Sequence, residues 1–194
     1  MNMLETIELF IDETKLQDGV DAISFVNQPA IEENFIALSK HEVKFKSIDD
    51  EKRMIVGIAL IPEKEIYRRD GDKEFNIKFS KETVKKASHL YLKKLKVNNT
   101  TLEHEVKTDG VSVVESWIVE DVKNDKANVY NLNATEGCWC VIMKVDDDTV
   151  WQDVKNGKYL GLSIEGIFSD KRDEEELSAQ KMLKELLDIL GYEG

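Results

Sequence analysis

Cysteine, histidine and proline are scarce in this chain, and each scarcity removes a class of explanation. Of 194 residues, two are cysteine, two are proline and three are histidine. Cys138 and Cys140 flank Trp139 in a strand-like run. Residues two apart on a strand face the same way but cannot close an ordinary disulfide, so reduced thiols are expected rather than a stapled secreted fold. Neither the cysteines nor the histidines have zinc-finger spacing, and Glu103-His104-Glu105 lacks a second histidine one helical turn on, so no metal and no cofactor is expected. No segment approaches the roughly 20 apolar residues of a membrane span, and Met1 to Asp12 lacks the basic start of a leader, so a membrane partner is not expected either. Positive charge is also in deficit, with 27 basic against 39 acidic residues and a formal balance of −12. Such a chain repels phosphate backbones, which argues against direct nucleic-acid binding. The most basic stretch, Lys85 to Lys96, is interleaved with Leu90, Leu92 and Leu95 and suits the solvated face of an amphipathic helix.

What the sequence does contain is a succession of short strand-like runs. Leu4 to Ile11 is followed by the Asp18-Gly19 turn and by Val20 to Val26, in which Val20, Ala22, Ser24 and Val26 share one face and Asp21, Ile23 and Phe25 the other. Pro29 interrupts, and Phe35 to Leu38 resumes the extended pattern. Arg53 to Ile61 reads as a buried strand ending at Pro62, and Tyr67 to Phe79 as a hairpin around Asp70-Gly71-Asp72. Ser80 caps a helix over Lys81 to Leu95, with Val84, Ala87, Ser88, Tyr91, Leu92 and Leu95 on one side. Strands are expected at Thr100 to Glu105, Ser112 to Val119, Gly137 to Val145 and Tyr159 to Phe168, with a short helix over Thr149 to Lys155. The pattern predicts a strand-dominated α+β domain over residues 1–170, followed over 171–194 by an acidic linker and the amphipathic helix Leu177 to Leu190.

Two residue types in this frame can carry chemistry. His41 lies in a polar connection and His89 in the helix, whereas His104 ends a strand-like run before the Lys107 to Gly110 turn. Ser163 stands in Gly161-Leu162-Ser163-Ile164-Glu165-Gly166, where small flanking residues let a substrate backbone approach and let backbone amides turn toward an oxyanion. The hydrolase elbow needs glycine two positions after the serine, and Glu165 stands there instead. A serine hydroxyl becomes a nucleophile when an imidazole takes its proton, which makes Ser163 and His104 the candidate pair.

Several stretches then resemble a known family. His104, Gly110 to Asp121, Gly137-Cys138-Trp139, Trp151 with Lys155-Asn156-Gly157, and Gly161 to Gly166 resemble the XkdF-like serine proteases of phages and prophages. Arg53 to Pro62 and Ile66 to Arg69 resemble that family's early strand and loop, and the likeness runs from about Gly19 to Phe168. More distantly the chain is similar to the prohead maturation proteases of tailed phages, which implies a β-barrel with surrounding helices like that of herpesvirus assemblin. The resemblance implies a serine endopeptidase with Ser163 as nucleophile, His104 as base, and amides near Gly161 and Ile164 at the oxyanion. Its implied substrates are phage scaffold and major capsid segments and the protease itself, inside an immature head in the host bacterial cytoplasm, with self-association a further expectation. Prohead proteases carry the third residue after the serine, and nothing here matches that motif beyond Phe168. Asp21 to Ala30 does resemble it, which suggests a circular permutation with Asp21 as third member. Glu115 and Glu165 compete for that role, and Asp21 is one residue off the motif's phase, which changes its face. The rival to a peptidase is a non-catalytic head-assembly module that keeps the fold.

Overall fold

The computed structural model describes residues 4–27, 46–49, 52–172 and 182. In chain order these residues form β1 (Thr6–Phe10), β2 (Gly19–Val26), β3 (Lys46–Asp49), β4 (Met54–Leu60), β5 (Ile66–Asp70), β6 (Lys73–Phe79), α1 (Lys81–Lys93), a 3₁₀ turn (Lys96–Asn98), β7 (Thr100–Leu102) and β8 (Val106–Thr108). There follow β9 (Val111–Ile118), α2 (Lys126–Val129), β10 (Trp139–Val145), α3 (Asp148–Lys155), β11 (Gly161–Ile167) and β12 (Ser169–Asp170). Phe35 to Leu38, His41 and the helix expected over Leu177 to Leu190 lie outside the described residues, apart from Met182.

The strands assemble into three four-stranded sheets, ordered β12-β1-β6-β5, β3-β4-β10-β9 and β11-β2-β7-β8. The strand-dominated α+β expectation therefore holds, while the described residues form open sheets with no closed barrel. The central strands β4 and β10 of the β3-β4-β10-β9 sheet are buried on both faces, and their sequence shows why. Along β10, Trp139, Val141, Met143 and Val145 enter the main core, while Cys140 and Ile142 enter a second core with Val56 and Ile58 of β4. Alternation thus fails to separate polar from apolar, and both strands read as continuous apolar runs.

The helix α1 starts where Ser80 accepts the Thr83 N–H at 3.2 Å. It buries Val84, Ala87 and Tyr91 against the sheets, with the Tyr91 ring edge-on to Trp139 at 5.4 Å between centroids. Leu92 and Leu95, expected on the same face, are exposed instead: Leu92 lies about 100° round the helix from buried Tyr91, and Leu95 follows the helix end at Lys93 with a left-handed φ of 56°. Asp147 caps α3 by accepting the Val150 N–H at 2.7 Å. After Phe168 the chain continues as β12, which pairs Ser169 and Asp170 with Phe10 and Leu9. A buried carboxylate secures that junction: Asp18 accepts from the Ser169 hydroxyl at 2.9 Å and from the Asp12 amide at 3.0 Å.

Candidate active site

The site is built on the β11-β2-β7-β8 sheet. β2 pairs antiparallel with β11 and parallel with β7, and the register places Ser163 opposite Ser24, and Ser24 opposite Thr101. Residues directly opposite one another share a face, and so do residues two apart on one strand. Ser163, Ser24, Thr101 and Glu165 therefore all project from one face. Glu165 stands opposite Ala22, whose methyl leaves its side chain free to lie across β2.

His104 reaches this face through a turn that the sequence does not announce. The expected strand over Thr100 to Glu105 is instead a hairpin, β7 and β8, that reverses at Glu103 and His104. Their φ values are 51° and 60°, and the Glu105 amide closes the turn on the Leu102 carbonyl at 3.0 Å. Two consecutive positive φ values are the signature of a type I′ turn, which favours asparagine and glycine. Non-glycine residues pay roughly 1–2 kcal/mol each to sit there. Three bonds hold the turn against β2: Glu103 donates its amide to the Phe25 carbonyl at 2.9 Å, the Glu103 carboxylate accepts the Asn27 amide at 2.7 Å, and His104 donates its amide to the Ser24 hydroxyl at 3.0 Å. Ser24 is fully buried.

The imidazole Nδ1 lies 3.2 Å from Glu165 Oε1. The same carboxylate oxygen accepts the Thr101 hydroxyl. An ionised carboxylate only accepts, so one placed here favours the neutral imidazole tautomer with its proton on Nδ1 and its lone pair on Nε2. Ser163 is two residues along the same strand face from Glu165, about 7 Å between Cα atoms. The structure thus brings His104, Glu165 and Ser163 to one face around Ser24. The side chains of His104 and Glu165 are 40% and 30% exposed, so the pair is open to solvent.

Backbone phase decides which amides are available to an oxyanion. The Ile23 amide bonds the Asn99 carbonyl and the Phe25 carbonyl accepts from Glu103, so these residues of β2 face β7. Ser24 then turns its own N–H and C=O toward Ser163. The amides of Leu162 and Ile164 consequently lie on the outer edge of β11, where they meet no backbone partner among the described residues. Of the two oxyanion candidates, Ile164 has an outward amide beside Ser163, while Gly161 sits buried opposite Val26.

The other two acidic candidates lie elsewhere. Asp21 is on the opposite face of β2 from Ser24, where its carboxylate meets Lys96 at 3.1 Å. Glu115 is on β9, in another sheet, and is paired with Lys126. The carboxylate at His104 is Glu165, on the position facing Ala22. Gly166 also has a different task from admitting substrate. The β11–β2 register shifts between Glu165 and Gly166, and a Cβ at Gly166 would stand 2.3 Å from the Gly19 carbonyl. Such a bulge re-aims the side chain beside it, here Glu165. Two participants escaped the sequence reading, Ser24 and Thr101. The available signal was a serine in the centre of the apolar run Val20 to Val26, since a buried hydroxyl demands a partner.

With this geometry in view, comparison with known proteins places the chain. It belongs to the family described as "Putative phage serine protease XkdF". The match spans residues 42–172, and so includes His104, Glu115, Ser163 and Glu165, while β2 precedes it. No curated protein and no solved structure was matched. Among the described residues of this XkdF-family chain, no cluster of three or more His, Cys, Asp or Glu side chains is arranged to hold a metal ion. No helix among them is long and apolar enough to cross a membrane.

Proposed function

We propose that the chain is a serine endopeptidase in which Ser163 is the nucleophile, His104 the general base and Glu165 the group that orients the imidazole. The observation that carries this reading is the Glu165–His104 pair, on the sheet face that also bears Ser163, in a chain of the XkdF family. Glu165 fixes the Nδ1–H tautomer and leaves Nε2 to take the serine proton as Oγ attacks a peptide carbonyl. The imidazolium then faces an ionised carboxylate, which stabilises it until the proton passes to the leaving amine. The outward Ile164 amide is the nearest backbone donor for the oxyanion, and water afterwards releases the acyl group. The solvent-open His104–Glu165 pair, on the same sheet face as Ser163, favours the enzymatic reading over a non-catalytic module.

By the family resemblance, the substrates are scaffold and major capsid segments inside an immature phage head. The position of β2 beside the Ser163 strand supports a permuted relative of the prohead proteases, with the orienting acid on β11 rather than at Asp21. The test is co-expression of Ser163→Ala with the phage's own scaffold and capsid proteins. Processing is expected to stop, and unchanged cleavage would remove Ser163 from the mechanism.

A further inference from the structure

Glu165 has three rotatable bonds and lies at the solvent edge, so a single bond to the histidine would leave its carboxylate free to swing into water. A second donor prevents that. The Thr101 hydroxyl donates to the same oxygen, Oε1, that faces His104 Nδ1. Thr101 and His104 belong to one hairpin, three residues apart, whereas Glu165 comes from β11, separated from β7 by the whole of β2. No backbone bond joins β11 to β7, so the link between the acid and the hairpin across β2 is made by side chains. Thr101 suits the task physically: it is β-branched, its χ1 has few options, and its backbone is pinned by β2 on one side and β8 on the other. Ala22 beneath the carboxylate supplies the space.

We propose that Thr101 is a positioning residue that pins Glu165 onto His104 and thereby keeps the neutral imidazole in its Nδ1–H form. The proposal rests on the Ser163, His104 and Glu165 reading, but its consequence for the ring can be observed without turnover. With Thr101 present, its hydroxyl holds Oε1 beside Nδ1 and Nε2 stays unprotonated. Without it, the carboxylate samples solvent-facing rotamers and the ring proton returns to Nε2, where it blocks the base.

The test uses the full chain labelled with ¹⁵N-histidine, whose three histidines are separated by a His104→Gln reference. Long-range N–H spectra at a pH where the rings are neutral report the tautomer of His104 in wild type, Thr101→Val, Thr101→Ser and Glu165→Gln. Wild type is expected to show mainly Nδ1–H, Thr101→Val mainly Nε2–H as in Glu165→Gln, and Thr101→Ser the wild-type form again. In parallel, kcat of Thr101→Val should fall roughly ten- to a hundred-fold, as for other partners that orient a functional histidine, with KM within about two-fold. A Thr101→Val protein that retains the Nδ1–H form while Glu165→Gln loses it would overturn the proposal and leave the peptidase reading intact. Loss of the Nδ1–H form in a chain that cleaves nothing would uphold the proposal and sink the peptidase reading. Because Thr101→Ser keeps the hydroxyl, failure of both variants to give the wild-type form would also count against the hydroxyl as the cause.

Discussion

The left-handed turn at His104 makes a prediction that separates stability from activity. With φ of 60°, the side chain is held in a conformation that costs an L-residue roughly 1–2 kcal/mol and glycine almost nothing. Part of that advantage is returned because glycine has more freedom to lose on folding, about 0.4–1 kcal/mol. His104→Gly should therefore be more stable than His104→Ala by about 1 kcal/mol, or about 2–4 °C in Tm for a chain of this size. Both variants keep the backbone amide that bonds Ser24, and both lose the exposed pair with Glu165, worth at most about 1 kcal/mol. Their difference therefore isolates the backbone. Both should lose turnover by about 10²-fold or more, since each lacks the base. Thermal unfolding and a peptide-cleavage assay on the three proteins decide the matter. An alanine variant as stable as the glycine variant would refute the left-handed turn, and a glycine variant with wild-type turnover would refute the base. Strain retained where glycine would relieve it is what a functional constraint on that side chain predicts.

Three further outcomes follow from the same geometry. Glu165→Gln should lower kcat by about 10²-fold or more, whereas Asp21→Ala, which only frees Lys96 at the surface, should leave kcat unchanged and shift stability by less than about 1 kcal/mol; a large kcat loss in Asp21→Ala would reinstate it as the third residue. Gly166→Ala should destabilise by about 1–3 kcal/mol in denaturant titration and disturb the Glu165 side chain, because the new Cβ meets the Gly19 carbonyl; a neutral result would argue against the bulge. Burial holds the Cys140 thiol and the Tyr91 phenol well above their ordinary ionisation ranges, so both contribute stability that is complete below the unfolded-state values, about 8.5 and about 10, and declines as pH rises past each by about 1.4 kcal/mol per unit and group. Tyr91→Phe removes one share of that alkaline loss and a buried hydroxyl that has no partner, so it should raise stability at neutral pH by about 1 kcal/mol; a destabilised Tyr91→Phe would show that the hydroxyl is satisfied.

Local chemistry made much of the scaffold legible. The Ser80 cap, the two-residue reversal at Gly71 and Asp72, and the apolar runs of β4 and β10 are each specified within a few residues, and they appear where the sequence puts them. The serine and the histidine were also legible as residue types, because few side chains in this composition can act as nucleophile or base. Where one strand must lie beside another was not legible. Thr100 to Glu105 reads as one strand because Glu103 and His104 carry no turn signal, and bonds to β2, remote in sequence, force the reversal. The choice among Asp21, Glu115 and Glu165 likewise depended on the β11–β2 register and on a bulge at Gly166, set by packing against Gly19. The sequence by itself determined the local elements and the candidate chemistry, since caps, turns and periodicity act between neighbours. Only the tertiary structure decided which carboxylate faces the imidazole, because a strand's register is fixed by partners far along the chain and a shift of one residue turns every side chain to the other face.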